Sequence, residues 1–228
     1  KSIKHKQLAG LVALWLVARI AMNLNVYGLW VSLVLDSAVL IITMVVLLKM
    51  ILPSKNYRNL IFIPLLVVFL ALHIGQIYSL LTNNLLQSQQ LGYATSWWFV
   101  VLISLLGSRV IPFFISKAVG SEIKREPAYV TLIIQLLIVA IFAATVLSID
   151  FSFQLLVAIS LIAHCYRLFI WHHKSIWKNS MLWSLWLSYA FLPVALAVLL
   201  IDKSYYSNAL HLINLGFIGF MIIAFTSR

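Results

Sequence analysis

Three histidines lie inside long apolar stretches, where an ionisable side chain is costly to keep: His73, His164 and His211. A haem held between helices needs axial nitrogens on opposite faces of its porphyrin, and copper needs two or three nitrogens that converge on the ion. We expect His73 and His211 to share one depth and His164 to lie near the midplane. All three are therefore predicted cofactor and metal ligands. The alternative is that each is a hydrogen-bonded core residue.

Two opposite charges interrupt the first two apolar stretches. Arg19 precedes, and Asp36 follows, a short connection, "NVYG". At about 1.5 Å per residue, their depths in a helical hairpin agree within one turn. The spacing predicts an Arg19–Asp36 ion pair inside the bundle. It would serve as a folding clamp, or as part of a path for a polar substrate or a proton.

Arg109 lies in the stretch "LLGSRVIPFF", near the end of a further apolar run. One interpretation is that its side chain extends to the membrane interface while Pro112 ends or kinks the helix. The other is that its guanidinium group binds an anionic group, of which a haem propionate is one example. On the second interpretation Arg109 is a predicted cofactor-binding residue.

The composition places these residues in a membrane. The chain has 228 residues, of which 64% are hydrophobic and 9% charged, and its mean hydropathy is +1.06. Soluble domains carry about 25% charged residues, so a chain this apolar requires a lipid bilayer as its partner. The single cysteine, Cys165, excludes an intramolecular disulfide framework and a cysteine-based metal cluster.

Apolar stretches long enough, or nearly so, to cross about 30 Å of hydrocarbon predict the fold. Because lipid cannot satisfy backbone polar groups, each stretch is predicted to be a helix, in one all-α transmembrane bundle and a single domain over residues 1–228. Eight spans are predicted, at residues 8–24, 29–51, 59–81, 92–116, 128–149, 152–171, 181–201 and 208–226.

Basic residues are concentrated in every second connection between the predicted spans, and this pattern indicates the orientation of the chain. They accompany the N-terminal flank and the second, fourth and sixth linkers, whereas the intervening linkers are nearly free of them. Under the positive-inside rule, both ends of the chain are expected in the cytoplasm of a multi-pass protein. The net charge of +11 then reflects topology and contact with anionic lipid, and no nucleic-acid partner is expected.

Hydrolytic chemistry is not indicated. No serine has a matching histidine and aspartate set, and no paired carboxylates occur, so no catalytic residue is assigned and enzymatic activity is left open.

Several sequence blocks resemble the NnrS family. These are "GSRVIPFF", which is the most specific, "LWSLWLSYAFLP", "ALHLINLGFIGFMIIAFTSR", "KNYRNLIFIPLL" with the downstream His73, and "LVALWLVARIAM" followed by Asp36. Members are bacterial inner-membrane proteins of roughly twelve helices, described as containing haem and copper and associated with nitric oxide metabolism and resistance to nitrosative stress. The resemblance implies that function and those cofactors for this chain.

The resemblance also implies that residues 1–228 correspond to the last two thirds of such a protein, so that further N-terminal helices would be partners of these spans. His73, Arg109, His164 and His211 lie inside the family's motifs, without an assigned role for each. Two competing hypotheses stay open: a small-solute transporter or exporter, and a structural membrane protein without a cofactor. A homo-oligomer is compatible with all three.

Overall fold

The computed structural model describes residues 5–24, 26–120, 126–149 and 153–226. Within these ranges the chain forms eight helices and no β-strand, which confirms the all-α prediction. In chain order the helices are α1 (His5–Met22), α2 (Val26–Ile51), α3 (Phe62–Leu81), α4 (Leu85–Val119), α5 (Ala128–Val146), α6 (Phe153–Trp171), α7 (Ser180–Ile201) and α8 (Tyr206–Thr226). Short 3₁₀ turns at Tyr57–Ile61, Lys174–Lys178 and Lys203–Tyr205 precede α3, α7 and α8.

Seven of these eight helices, α2 to α8, are long and apolar enough to cross a membrane. The chain is therefore a multi-pass membrane protein. The predicted first span, at residues 8–24, is not among the seven. The helix there, α1, has only 18 residues and includes His5, Lys6 and Arg19, whose polar side chains lower its hydropathy.

The helix α4 departs most from prediction. It begins seven residues earlier than the predicted span and continues to Val119, past Pro112. The expectation that Pro112 ends this helix is therefore wrong, and a kink at Pro112 stays a prediction. Proline removes one backbone hydrogen bond, but a membrane helix tolerates this loss where neighbouring groups compensate for it. At 1.5 Å per residue the 35 residues extend about 52 Å, well beyond the hydrocarbon thickness.

The chain divides into two compact units, Lys1–Gly92 and Tyr93–Arg228. In the first unit α1 packs against α2, and α2 against α3. In the second unit α6 packs against α5 and α7, and α7 packs against α8. The assignment of the whole chain to a single domain stays a prediction.

The helix α6 shows how the sequence selects its inward face. Leu155, Ile162 and Phe169 recur every seven residues on the outer face and are 63%, 71% and 80% exposed. The opposite stripe is buried and contains every strongly polar residue near the middle of the helix. Its members include Val157, Ser160, His164, Arg167, Leu168 and Trp171. Apolar side chains gain nothing by leaving lipid, so polar contacts and close packing determine which face turns inward.

Candidate functional site

A buried ion pair lies in the second unit. Arg167 on α6 is 0% exposed and Glu126, just before α5, has a side chain that is 5% exposed. The Arg167 Nε donates to Glu126 Oε2 at 2.9 Å, and Nη2 donates to Oε1 at 2.7 Å. The hydroxyl of Thr131 also donates to Oε1, at 2.7 Å. This bidentate ion pair lies next to the positive N-terminal end of α5. Each charge therefore has a partner although both are buried away from water.

The remaining nitrogen of the guanidinium group extends the network to α4 and α7. Arg167 Nη1 donates to Ser104 Oγ at 3.0 Å and to the Tyr189 hydroxyl at 2.9 Å. Gln135 Nε2 on α5 also donates to Ser104 Oγ, at 3.0 Å. The Tyr189 hydroxyl lies 2.8 Å from Nδ1 of His164, one turn before Arg167 on α6. Side chains from α4, α5, α6 and α7 therefore meet in one hydrogen-bonded cluster, which we call the arginine network.

Aromatic rings pack against the arginine network. Tyr189 meets Trp171 edge to face with ring centroids 4.8 Å apart, and Phe217 at 5.5 Å. The guanidinium carbon of Arg167 lies 5.4 Å from the Trp171 ring centroid, within the range of a cation–π contact. All four residues are fully buried. In such a low-dielectric setting each polar contact is strengthened, and any polar group left without a partner is costly.

The sequence interpretation did not single out Arg167 and Glu126. Arg167 lies near the end of the predicted span 152–171, and Glu126 lies in the connection before the predicted span 128–149. A signal was present, because Arg167 follows His164 by three residues and so shares its helix face. The partner was not foreseeable from spacing, since Glu126 is 41 residues away.

A second polar cluster lies in the first unit. Arg19 on α1 and Asp36 on α2 form an ion pair through Nη2 and Oδ2. The Ser32 hydroxyl donates to the same oxygen at 3.0 Å, and His73 Nε2 on α3 lies 3.5 Å from it. The side chains of Asp36 and His73 are 8% and 14% exposed, whereas that of Arg19 is 38% exposed. A buried carboxylate therefore faces one cation and one titratable imidazole, which is a set of groups that can bind or pass on a proton.

The three candidate metal ligands have three different surroundings. His73 faces Asp36, and His164 is fully buried in the arginine network. His211 is exposed at the first third of α8. Among the described residues, no group of three or more histidine, cysteine, aspartate or glutamate side chains could hold a metal ion. The shared depth of His73 and His211 stays a prediction, since the two belong to different units.

His211 lies on the wall of a groove between α7 and α8 with a volume of about 860 Å³. The wall is mostly apolar and also includes Phe191, Asn208 and Gly216. Directly after His211 the helix widens into a π-helical stretch, Leu212–Gly219. Such widenings are rare and frequently occur at functional sites. The groove volume falls within the range of about 300–1,000 Å³ typical of small-molecule sites.

Gly216 allows α7 and α8 to approach each other beside this groove. A Cβ atom at this position would lie 2.5 Å from the ring of Phe191. Asn214 lies one helical turn from His211 and donates to Ser96 Oγ on α4 at 3.2 Å. Asn214 thus joins two helices, whereas Asn208 lines the groove. Arg109 lies part-buried on α4, three residues before Pro112, and its predicted contact with an anionic group stays a prediction.

Comparison with known proteins supports one assignment. The family model described as NnrS protein matches residues 1–228, which is the entire chain. Neither a curated protein nor a solved structure gives a significant match. The matched length includes both polar clusters and the groove beside His211. With its seven membrane-capable helices, the chain belongs to the NnrS family.

Proposed function

We propose that this protein is a haem-binding integral membrane protein that takes part in nitric oxide metabolism and resistance to nitrosative stress. The observation that carries the proposal is the family match over all 228 residues. The groove beside His211 supports it, because that groove combines an available imidazole with a large apolar wall.

The residues of the groove fit a haem group. His211 would supply an imidazole nitrogen to hold the haem iron, and the ring of Phe191 would supply part of an apolar wall for the macrocycle. Asn208 would offer a hydrogen-bonding side chain at the rim. Bound haem would supply an iron centre that can bind a diatomic gas and exchange an electron. Arg109 stays a candidate for binding an anionic group such as a propionate.

Copper has less support from the described residues than haem has. Copper sites use two or three converging nitrogen ligands or soft sulfur ligands. His73 has a carboxylate as its neighbour, and its Nε2 faces Asp36 Oδ2 at 3.5 Å. Among the described residues, no three histidine, cysteine, aspartate or glutamate side chains come together. We therefore restrict the proposal to haem, and copper stays an expectation of the family resemblance.

We also propose a location in the bacterial inner membrane, with both ends of the chain in the cytoplasm, which requires α1 to cross the membrane in addition to the seven membrane-capable helices. Lys49, Lys55 and Arg58 lie around the connection between α2 and α3, and Lys174 and Lys178 lie between α6 and α7. The positive-inside rule would place both connections in the cytoplasm. Of the other basic residues that support this prediction, Lys6, Lys117 and Arg167 lie on α1, α4 and α6, whereas Lys1, Lys4, Lys124, Arg125 and Arg228 lie outside the described residues.

The test is optical and metal analysis of the full-length protein, purified from haem-replete cells. We expect a visible absorption band in the wild type that is lost or shifted in His211→Ala. His172→Ala is the matched control, because His172 is also exposed and lies at the end of α6, away from the groove lining. A colourless wild-type preparation, or a His211→Ala spectrum identical to the wild type, would contradict the assignment of haem to this groove.

The cluster around Asp36 favours a second candidate function, proton-coupled transport of a small solute. A buried carboxylate next to a cation and an imidazole suits a path in which a proton moves with a solute. Flux of a solute into proteoliposomes that depends on a pH gradient, and that is lost in Asp36→Asn, would support transport. Unchanged nitric oxide tolerance in the same variant would separate this function from the first.

A further inference from the structure

The hydrogen bonds of the arginine network determine which ring nitrogen of His164 carries its proton. Ser104 Oγ accepts from Arg167 Nη1 and from Gln135 Nε2, both at 3.0 Å. A hydroxyl oxygen has two lone pairs, so both are used. The hydroxyl hydrogen of Ser104 is then free to donate to the Tyr189 hydroxyl, 3.3 Å away.

The Tyr189 hydroxyl oxygen in turn accepts from Arg167 Nη1 and from Ser104. Its own hydrogen has one remaining partner, His164 Nδ1, at 2.8 Å. In a neutral imidazole only one nitrogen is protonated, so an accepting Nδ1 requires the proton on Nε2. The network therefore holds His164 as a donor through Nε2. A metal ligand needs a free lone pair at that nitrogen, and the usual supporting hydrogen bond runs the opposite way, out of the second ring nitrogen.

His164 Nε2 and Ser160 Oγ are buried polar atoms without a hydrogen-bond partner from the protein. His164 is 0% exposed and its Nε2 has no hydrogen-bond partner. Ser160, one turn earlier on the same face of α6, is also 0% exposed, and its Oγ has no partner. Side chains four residues apart on a helix are neighbours, with Cβ atoms about 5–6 Å apart. The two polar groups do not bond to each other, and a small molecule between them would satisfy both.

We infer that His164 Nε2–H and Ser160 Oγ together bind one small neutral molecule that accepts a hydrogen bond, and that Tyr189 positions the imidazole for this role. The ligand is neutral because the only cation in the network, Arg167, is already paired with Glu126. Water is the smallest molecule with the required chemistry. His164 is accordingly not a metal ligand, which revises its predicted role. This inference goes beyond the proposed function and does not depend on haem at His211.

The test is nitrogen-15 NMR of the full-length protein with labelled histidine side chains. The His164 signals are assigned by their loss in His164→Gln. We expect Nε2 to appear as a protonated ring nitrogen and Nδ1 as an unprotonated acceptor. A proton on Nδ1, or a His164 signal shifted by bound metal, would overturn the inference.

Two pairs of variants test the positioning and the binding separately. Tyr189→Phe should allow His164 to populate both neutral tautomers. Tyr206→Phe removes a partly buried hydroxyl elsewhere in this unit and should leave the His164 tautomer unchanged. Magnetisation transfer from water to Nε2–H should be present in the wild type and weakened in Ser160→Ala. Ser188→Ala is the control for Ser160→Ala, because the Ser188 hydroxyl donates to its own helix.

The outcomes are distinct from those of the haem test. No water contact at Nε2–H in the wild type would overturn the binding site, and an unchanged tautomer in Tyr189→Phe would overturn the role of Tyr189. Haem content should be the same in His164→Gln as in the wild type. A loss of haem in His164→Gln, with haem retained in His211→Ala, would overturn this inference and the groove assignment together.

Discussion

Removing the buried cation Arg167 should destabilise the second unit strongly. In Arg167→Met the apolar stem of the side chain is kept, but the carboxylate of Glu126 stays behind with its side chain only 5% exposed. Breaking one side of a buried ion pair costs about 3–5 kcal/mol, because the remaining charge is left without a partner. For a chain of 150–250 residues, each kcal/mol shifts Tm by about 2–4 °C. We therefore expect a decrease in Tm of roughly 6–20 °C.

The double variant Glu126→Gln/Arg167→Met separates the ion pair from side-chain packing. It removes both charges and keeps the side chains close to their original sizes, so it should recover most of the lost Tm. Thermal unfolding in detergent can be followed by tryptophan fluorescence, since Trp171 lies 5.4 Å from the guanidinium carbon. Lys178→Met, at an exposed cation, is the control and should change the free energy of unfolding by less than about 1 kcal/mol.

Two results would refute this reasoning. One is an Arg167→Met variant whose Tm equals that of Lys178→Met, because the charge would then have access to water. The other is a double variant whose decrease in Tm equals the sum of the decreases in the single variants Arg167→Met and Glu126→Gln. Additive decreases would mean that the two charges do not interact.

Two further changes test the other sites. Arg19→Ala should destabilise the first unit more than Asp36→Ala, because it leaves a carboxylate that is 8% exposed, whereas Arg19 at 38% exposure can reach a polar surface when its partner is removed. Equal losses of Tm in the two variants would contradict this order. Gly216→Ala should lower the free energy of unfolding by about 1–3 kcal/mol, because the new Cβ would overlap the ring of Phe191. Adding Phe191→Leu to the same chain should restore part of that free energy. A Gly216→Ala variant with the wild-type Tm would show that α7 and α8 are not in close contact at this position.

The helices themselves could be predicted from the sequence. Lipid offers no hydrogen bonds, so each apolar stretch must satisfy its backbone internally, and hydropathy alone then locates the helices. Seven of the eight predicted spans correspond to membrane-capable helices, and the largest error is the N-terminal extension of α4. The ion-pair partners Arg19 and Asp36 were also accessible to sequence reasoning. A short connection between two helices leaves them antiparallel and adjacent, so that depth alone identifies the partner.

Only the tertiary structure could decide the partners inside the second unit. Hydropathy cannot show how a helix is rotated, because the residues that face lipid are as apolar as those that face the core, as Phe169 and Leu168 on α6 illustrate. The rotation of α6 brings Arg167 to Glu126, from 41 residues away, and His164 to Tyr189 on the next helix. The sequence thus determined that these polar side chains lie in the membrane. The packing of four helices determined which of them meet, and therefore that His164 Nδ1 lies against the Tyr189 hydroxyl.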